Sequence, residues 1–288
     1  MAVPGCSAAS LEAGESLAGT AVESIDRWLL LEVTEPWAPK ALQTEALPET
    51  VRTQLSRWLE APRSRLQLIR RPGRSGKRPV FMTVCPTGDR PQTSILELGR
   101  YEELLDLDLD AMPAGMSEPI CLVCAHGRRD RCCGVLGSAM FRAIQSQGVE
   151  TWQTSHLGGH RFAACALWLP DGLMYGRLRA EDAQAWVAAR RVGDVGDLDF
   201  FRGRCAYDRP TQAAEIVVRK RLGLHDADGV EWLETEMASE SSWEARFRTA
   251  SGEQRVRLRL EETGATRPAS CGGEAEAVTG FVEEQGAG

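Results

Sequence analysis

Short apolar runs punctuated by Pro and Gly recur along the chain, and their period changes from one stretch to the next. Residues 28–33 (WLLLEV) are continuously apolar up to Val33 apart from Glu32. Thr34-Glu35-Pro36 closes the run, and with Pro36 and Pro39 nearby it predicts a buried strand rather than a helix. Over residues 49–60, Val51, Leu55, Trp58 and Leu59 fall at helical spacing and Pro62 stops the element. Residues 65–70 alternate, residues 79–85 (PVFMTVC) are apolar, and the Gly/Arg/Lys loop between them predicts a hairpin. Residues 25–116 therefore read as an N-terminal mixed α/β domain, ending where Pro113 and Gly115 interrupt an acidic segment that starts at Glu102.

From Glu118 the pattern is strand 120–124, a Cys/Arg loop, helix 137–147, strand 149–154, a Ser-His-Leu-Gly-Gly-His loop, strand 162–169, a Pro170-Asp171-Gly172 turn, strand 173–178 and helix 180–191. This β-α-β then β-β-α order predicts a thioredoxin-like domain over residues 117–193. A Gly/Asp linker follows. Helix 211–222 and strands 231–238, 243–248 and 254–261 predict a C-terminal helix plus antiparallel β-meander in residues 194–288. Residues 1–24 lack a sustained period and read as a flexible or weakly helical lead-in; the stretch beyond Glu276 carries no signal, and no internal repeat of fixed period is visible. The expected fold class is α/β.

With 43% apolar residues in 288, the chain can bury a core, and its composition excludes a disordered polyampholyte, a collagen-like repeat or a coiled coil. Lys plus Arg number 34 against 41 Asp plus Glu, and no large basic patch offsets the net charge of −7, so a nucleic-acid partner is not expected. The first twenty residues have neither a basic nor a continuous apolar region, and no stretch approaches the roughly 18 apolar residues of a membrane span. A cytoplasmic location is the expectation. In a reducing compartment nine cysteines, an odd number, make a poor disulfide framework and are better read as core filler, metal ligands or redox groups.

Position separates these roles. Three of the four histidines, His126, His156 and His160, fall within 37 residues together with Cys124, Cys132 and Cys133. The end of strand 120–124 delivers Cys124, and the loop after the next parallel strand delivers His156 and His160 to the same sheet edge. Two thiolates and two imidazoles there suit a tetrahedral Zn²⁺, or a [2Fe-2S] cluster with two Cys on one iron and two His on the other. Two central glycines disfavour a helix through His156-Leu157-Gly158-Gly159-His160 and let the backbone curl with positive φ. Spacing alone leaves Cys132 (C-x7-C) and Cys133 (C-x8-C) as alternatives. Cys85, Cys121 and Cys165 sit in apolar runs and read as packing residues, while Cys6 and Cys271 lie in Gly/Ser-rich surroundings and read as exposed bystanders.

CAHGRRDRCCGVLG followed by SHLGGHRFAACALWLPDGLMYGR resembles the sucrase/ferredoxin-like family, also described as thioredoxin-like ferredoxins. WLLLEVTEPWAPKAL and FRGRCAYDRPTQAAE extend the resemblance at lower specificity. It implies a [2Fe-2S] cluster held by Cys124, Cys133, His156 and His160, with Cys132 supernumerary. Glu35-Pro36-Trp37-Ala38 departs from the Gly-Pro-Trp-Gly pattern of bacterial members, and no carboxylate pair supports the glycosidase sense of the family name.

His126 is expected to fix the loop rather than bind metal, and Asp130 to staple it through Arg128, Arg129 and Arg131, which read either as a solvated face or as a positive collar that steers an acidic redox partner. PGRSGKRP, residues 72–79, lacks the first Gly and the Ser/Thr of a P-loop and reads as a basic hairpin tip. The expected function is one-electron transfer, with no catalytic residue and a redox protein as partner. The rivals are a Zn²⁺-stabilised interaction module and a metal-free thiol oxidoreductase using Cys124 with Cys132 or Cys133.

Overall fold

A computed structural model describes residues 5–73, 76–85, 92–112 and 118–284. Its elements are α1 (Cys6–Glu12), β1 (Arg27–Glu32), α2 (Glu49–Glu60), β2 (Ser64–Arg70), β3 (Val80–Cys85), β4 (Gln92–Glu97), β5 (Ile120–Cys124), α3 (Arg131–Gln145), β6 (Glu150–Thr154), β7 (Ala166–Leu169) and β8 (Leu173–Tyr175). There follow α4 (Ala183–Arg191), β9 (Phe201–Arg204), α5 (Arg209–Leu222), β10 (Glu231–Ser239), β11 (Ser242–Thr249), β12 (Gly252–Pro268) and β13 (Ala275–Glu283). The fold is mixed α/β. Nine strands form one sheet in the order β4-β3-β1-β2-β6-β5-β7-β8-β9, and β10 to β13 form a separate four-stranded antiparallel sheet.

The second half of the large sheet has the predicted thioredoxin-like order: β5 lies parallel to β6, β7 is antiparallel to β5, and β8 is antiparallel to β7. The first half repeats it. There β1 is parallel to β2, β3 is antiparallel to β1 and β4 to β3, so the β2–β6 junction relates two units of the same strand order. No sequence period betrays this repeat, because the layout requires alternating apolar faces and connections of free length, not matching residues. One face carries α2 on Leu29, Leu31, Leu66 and Leu68, and α3 on Cys121 and Val123; on the other, Trp28, Leu30, Ile120, Leu122 and Cys124 belong to one shared core.

Several expectations are corrected. Residues 65–70 and 79–85 are strands but not a hairpin, since β1 lies between β2 and β3. β1 is hydrogen-bonded on both edges: the α2 crossover places β2 parallel on one, and β3 pairs antiparallel on the other. Of the basic loop over 72–79, Arg74 and Ser75 lie outside the described residues, as does 113–117, where the first domain was expected to end. The lead-in forms α1 and packs Cys6, Leu17 and Ala21 inside. Helix 137–147 begins six residues early, at Arg131. Between the Gly/Asp linker (193–199) and the C-terminal helix the chain adds β9, and the signal-free tail is β13.

Candidate metal centre

β5 delivers Cys124 at its last position, where its N–H donates to Cys165 O (3.0 Å), and the chain then turns through residues 125–130, with the N–H groups of Arg129 and Asp130 donating to His126 O. Asp130 caps α3: its Oδ1 accepts from Cys132 N at 2.8 Å. Both adjacent cysteines therefore lie in the first helical turn, where the helix N-terminus favours thiolates. They diverge. Cys133 faces Cys124 and His156, while Cys132 turns to Cys6 and Cys271. The helix can approach so closely because residue 137 is Gly; a Cβ there would stand 1.8 Å from Cys124 O.

The donor atoms of Cys124, Cys133 and His156 all lie within 4.8 Å of one another, with Cys133 Sγ 4.0 Å from His156 Nδ1. The Cys133 thiol hydrogen-bonds the Cys124 sulfur, which together with His156 holds the Cys124 thiol well below its ordinary 9.0; Cys133 is pushed up in turn. His160 stacks on His156, ring centroids 5.1 Å apart, and its Nδ1 faces Asp130 Oδ2 at 3.7 Å and Cys6 Sγ at 3.8 Å. Burial and the neighbouring His156 hold His160 below its usual pKa. Gly158 and Gly159 have φ of 96° and 69°, the positive values expected of this loop.

The loop is braced from behind by a residue that sequence reasoning missed. Arg202, 1% exposed, donates to Gly158 O (3.0 Å), to Thr20 Oγ1 (3.1 Å) and to Thr20 O, and lies 3.6 Å from Cys165 Sγ. Among the described residues no carboxylate pairs with it. In the sequence it stands in FRGRCAYDRPTQAAE, a segment of low specificity in which no strand was predicted.

His126 is buried, packs edge-on against Trp37 at 5.7 Å, and among the described residues neither of its ring nitrogens has a hydrogen-bond partner. Arg128, Arg129 and Arg131 are exposed. Asp130 does not staple them but turns inward, its Oδ2 accepting from Cys271 N at 2.9 Å. These two N–H donors outweigh burial and keep its carboxyl below the usual range. Cys121 and Cys165 are buried as expected, and Cys85 is half-buried. Cys6 and Cys271 are not bystanders: Cys6 is fully buried and both adjoin Cys132 and Asp130. Three residues so distant in sequence leave no motif to read. A cavity of about 640 Å³ beside His156 is lined from the first unit by Arg65 and Gln67 and from the second by His126, Arg129 and Ser155.

Comparison with known proteins gives one curated relative, "Altered inheritance of mitochondria protein 32" of Meyerozyma guilliermondii, 28% identical over 118 residues, which are 37% of this chain and 42% of that protein. The chain thus matches less than half of that relative's length. Among solved structures, a Cys59Ser variant of the thioredoxin-like [2Fe-2S] ferredoxin from Aquifex aeolicus is similar at 16% identity and a TM-score of 0.27, covering 30% of this chain and 99% of that one. No helix among the described residues is long and apolar enough to cross a membrane. The sucrase/ferredoxin-like family model matches residues 17–203, which take in both halves of the large sheet and every donor described above except Cys6 and Cys271, and the chain belongs to that family.

Proposed function

We propose that this protein is a one-electron transfer protein carrying a [2Fe-2S] cluster on Cys124, Cys133, His156 and His160. The observation that carries this reading is the convergence of the Cys124, Cys133 and His156 donor atoms within 4.8 Å, with His160 stacked alongside. The donor chemistry fits: two thiols, one already inclined to ionise, and two imidazoles, of which His160 is held below its usual pKa by burial and by His156. The bound cluster would supply a one-electron couple at a potential above that of an all-thiolate centre.

The chain's own residues hold and tune that site. The N-terminus of α3 presents Cys133, and Gly158 and Gly159 curl the His156 loop. Arg202 fixes that loop through Gly158 O and places behind it a buried cation that pairs with no carboxylate among the described residues, which favours the reduced, more negative state. The exposed Arg128, Arg129 and Arg131 suit an acidic redox partner. Nine unbridged thiols suit a reducing compartment, and we place the protein in the cytoplasm.

The test is anaerobic purification from iron-replete cells, followed by metal analysis, visible spectroscopy and EPR after dithionite reduction. Red-brown protein with about two irons and an EPR-active reduced state is expected. Colourless protein with zinc at these four residues would replace the reading by an interaction module. Thiol reactivity that survives loss of both histidines would replace it by a metal-free oxidoreductase.

A further inference from the structure

A second set of donors meets on the other side of the α3 N-terminus, and the electron-transfer reading uses none of them. Cys6 comes from α1, Asp130 and Cys132 from the head of α3, and Cys271 from the turn between β12 and β13. The ligand atoms of these four all lie within 4.8 Å of one another. Cys132 Sγ is 3.4 Å from Cys271 Sγ, which is 3.7 Å from Cys6 Sγ and 3.3 Å from Asp130 Oδ1; Cys6 Sγ is 3.7 Å from each Asp130 oxygen. Sulfur and oxygen ligands at about 2.3 and 2.1 Å from a tetrahedral zinc stand about 3.5–3.8 Å apart, so the spacing matches one metal ion.

The three thiols form a small apolar cluster with Ala163 and Leu136, but packing gives no reason for the carboxylate set among them. Cys6 and Cys132 are fully buried and Asp130 is 5% exposed. The carboxylate is also oriented by the residues that offer the thiols, accepting Cys132 N at 2.8 Å and Cys271 N at 2.9 Å, as outer-shell bonds orient metal ligands. Space has been cleared for sulfur as well: a Cβ on Gly5 would come 2.4 Å from Cys271 Sγ.

We propose that Cys6, Cys132, Cys271 and Asp130 bind a single Zn²⁺ ion, separate from the Cys124/Cys133 centre, which clips α1 and the β12–β13 turn to the start of α3. Three thiolates and one carboxylate fill all four positions of redox-inert Zn²⁺, the closed coordination of a structural rather than a catalytic site. Binding displaces the thiol protons to solvent, one per cysteine coordinated, so uptake strengthens as pH rises. The site joins segments 139 and 265 residues apart in sequence, and metal affinity is thereby folding free energy for the N-terminal helix and the small sheet.

The test uses the full chain, purified anaerobically with iron and zinc in the medium, and reads both metals by plasma mass spectrometry. One zinc per chain is expected in the unaltered protein. Cys6→Ser and Cys271→Ser should each lower zinc retention by more than about tenfold while iron stays. Cys124→Ser should lose iron and keep zinc. Iron missing throughout while zinc follows Cys6 and Cys271 would refute the electron-transfer reading alone.

Because a serine variant can misfold, Co²⁺ is also titrated into the reduced, zinc-stripped unaltered protein. Intense thiolate-to-metal absorption with tetrahedral ligand-field bands is expected. The inference is overturned if zinc is absent even after Zn²⁺ is added to reduced protein, or persists in both variants. Weak octahedral cobalt bands overturn it too, as does peptide mapping that finds Cys132 and Cys271 joined in a disulfide in the anaerobic protein.

Discussion

Replacing His156 by Cys exchanges a neutral donor for an anionic one. If both imidazoles hold the cluster, His156→Cys retains it and lowers its potential by on the order of 100 mV or more, as followed by spectroelectrochemical titration. An unchanged midpoint contradicts the ligand assignment. Glu15 illustrates a second kind of residue, structural and absent from any motif. Only 2% exposed, it is held by Arg267 at 2.9 Å, Arg161 at 2.8 Å and the Ser10 hydroxyl, and these partners overcome its burial and keep its carboxyl below the usual 4.5. A depressed carboxyl stabilises the fold above its unfolded pKa and ceases to do so as pH falls through the folded one. Glu15→Gln should therefore cost about 3 kcal/mol in urea unfolding at pH 7, with the gap from the unaltered protein closing as pH drops below 4.5.

Among the elements, α3 carries the most. Gly137→Ala would drive a methyl group into Cys124 O, and the helix must withdraw from β5, taking Cys133 with it. The expected result is near-normal far-ultraviolet circular dichroism with most of the iron lost; full iron occupancy would show that the backbone yields elsewhere. α3 also marks what the sequence could and could not disclose. Its amphipathic body was visible in Met140, Phe141 and Ile144, but its first turn was hidden because Arg131-Cys132-Cys133-Gly134 has weak helix propensity, and the start is fixed by the Asp130 cap and by burial of both thiols. In the thioredoxin-like unit β5, β7 and β8 were legible as short apolar runs, and β6 (ETWQT) through its Thr and Trp residues. β9 and β13 were not, since FRGR has one apolar residue and the apolar residues of AEAVTGFVE follow no strict alternation, so both owe their state to neighbouring strands. Cys124, His156 and His160 were legible from clustering. Arg202, Cys6 and Cys271 were not, because a fold, not a spacing, brings them in.

At the scale of the molecule, the two units meet across only two β2–β6 pairs, Ile69 with Thr154 and Arg70 with Gln153, reinforced where Ser155 N donates to Leu68 O at 2.8 Å and Leu68 N donates to Ser155 Oγ at 3.0 Å. The sheet and the core on its shared face are nonetheless continuous, so β1 and β5 should open together. Hydrogen exchange read by mass spectrometry should give peptides from the two strands the same protection free energy, and a β1 that exchanges through an opening of its own would show that the first unit unfolds separately. The repeated strand order also sets Glu32 where Cys124 stands: Leu29 and Leu31 lie under α2 as Cys121 and Val123 lie under α3, and each strand's last residue points to the opposite face. Glu32 is buried and accepts from Val80 N at 3.1 Å, a carboxylate spent on tying one strand to the next. The same architecture thus appears twice with different chemistry at the equivalent strand end, a carboxylate tied to the neighbouring strand in one copy and a thiol beside Cys133 and His156 in its twin.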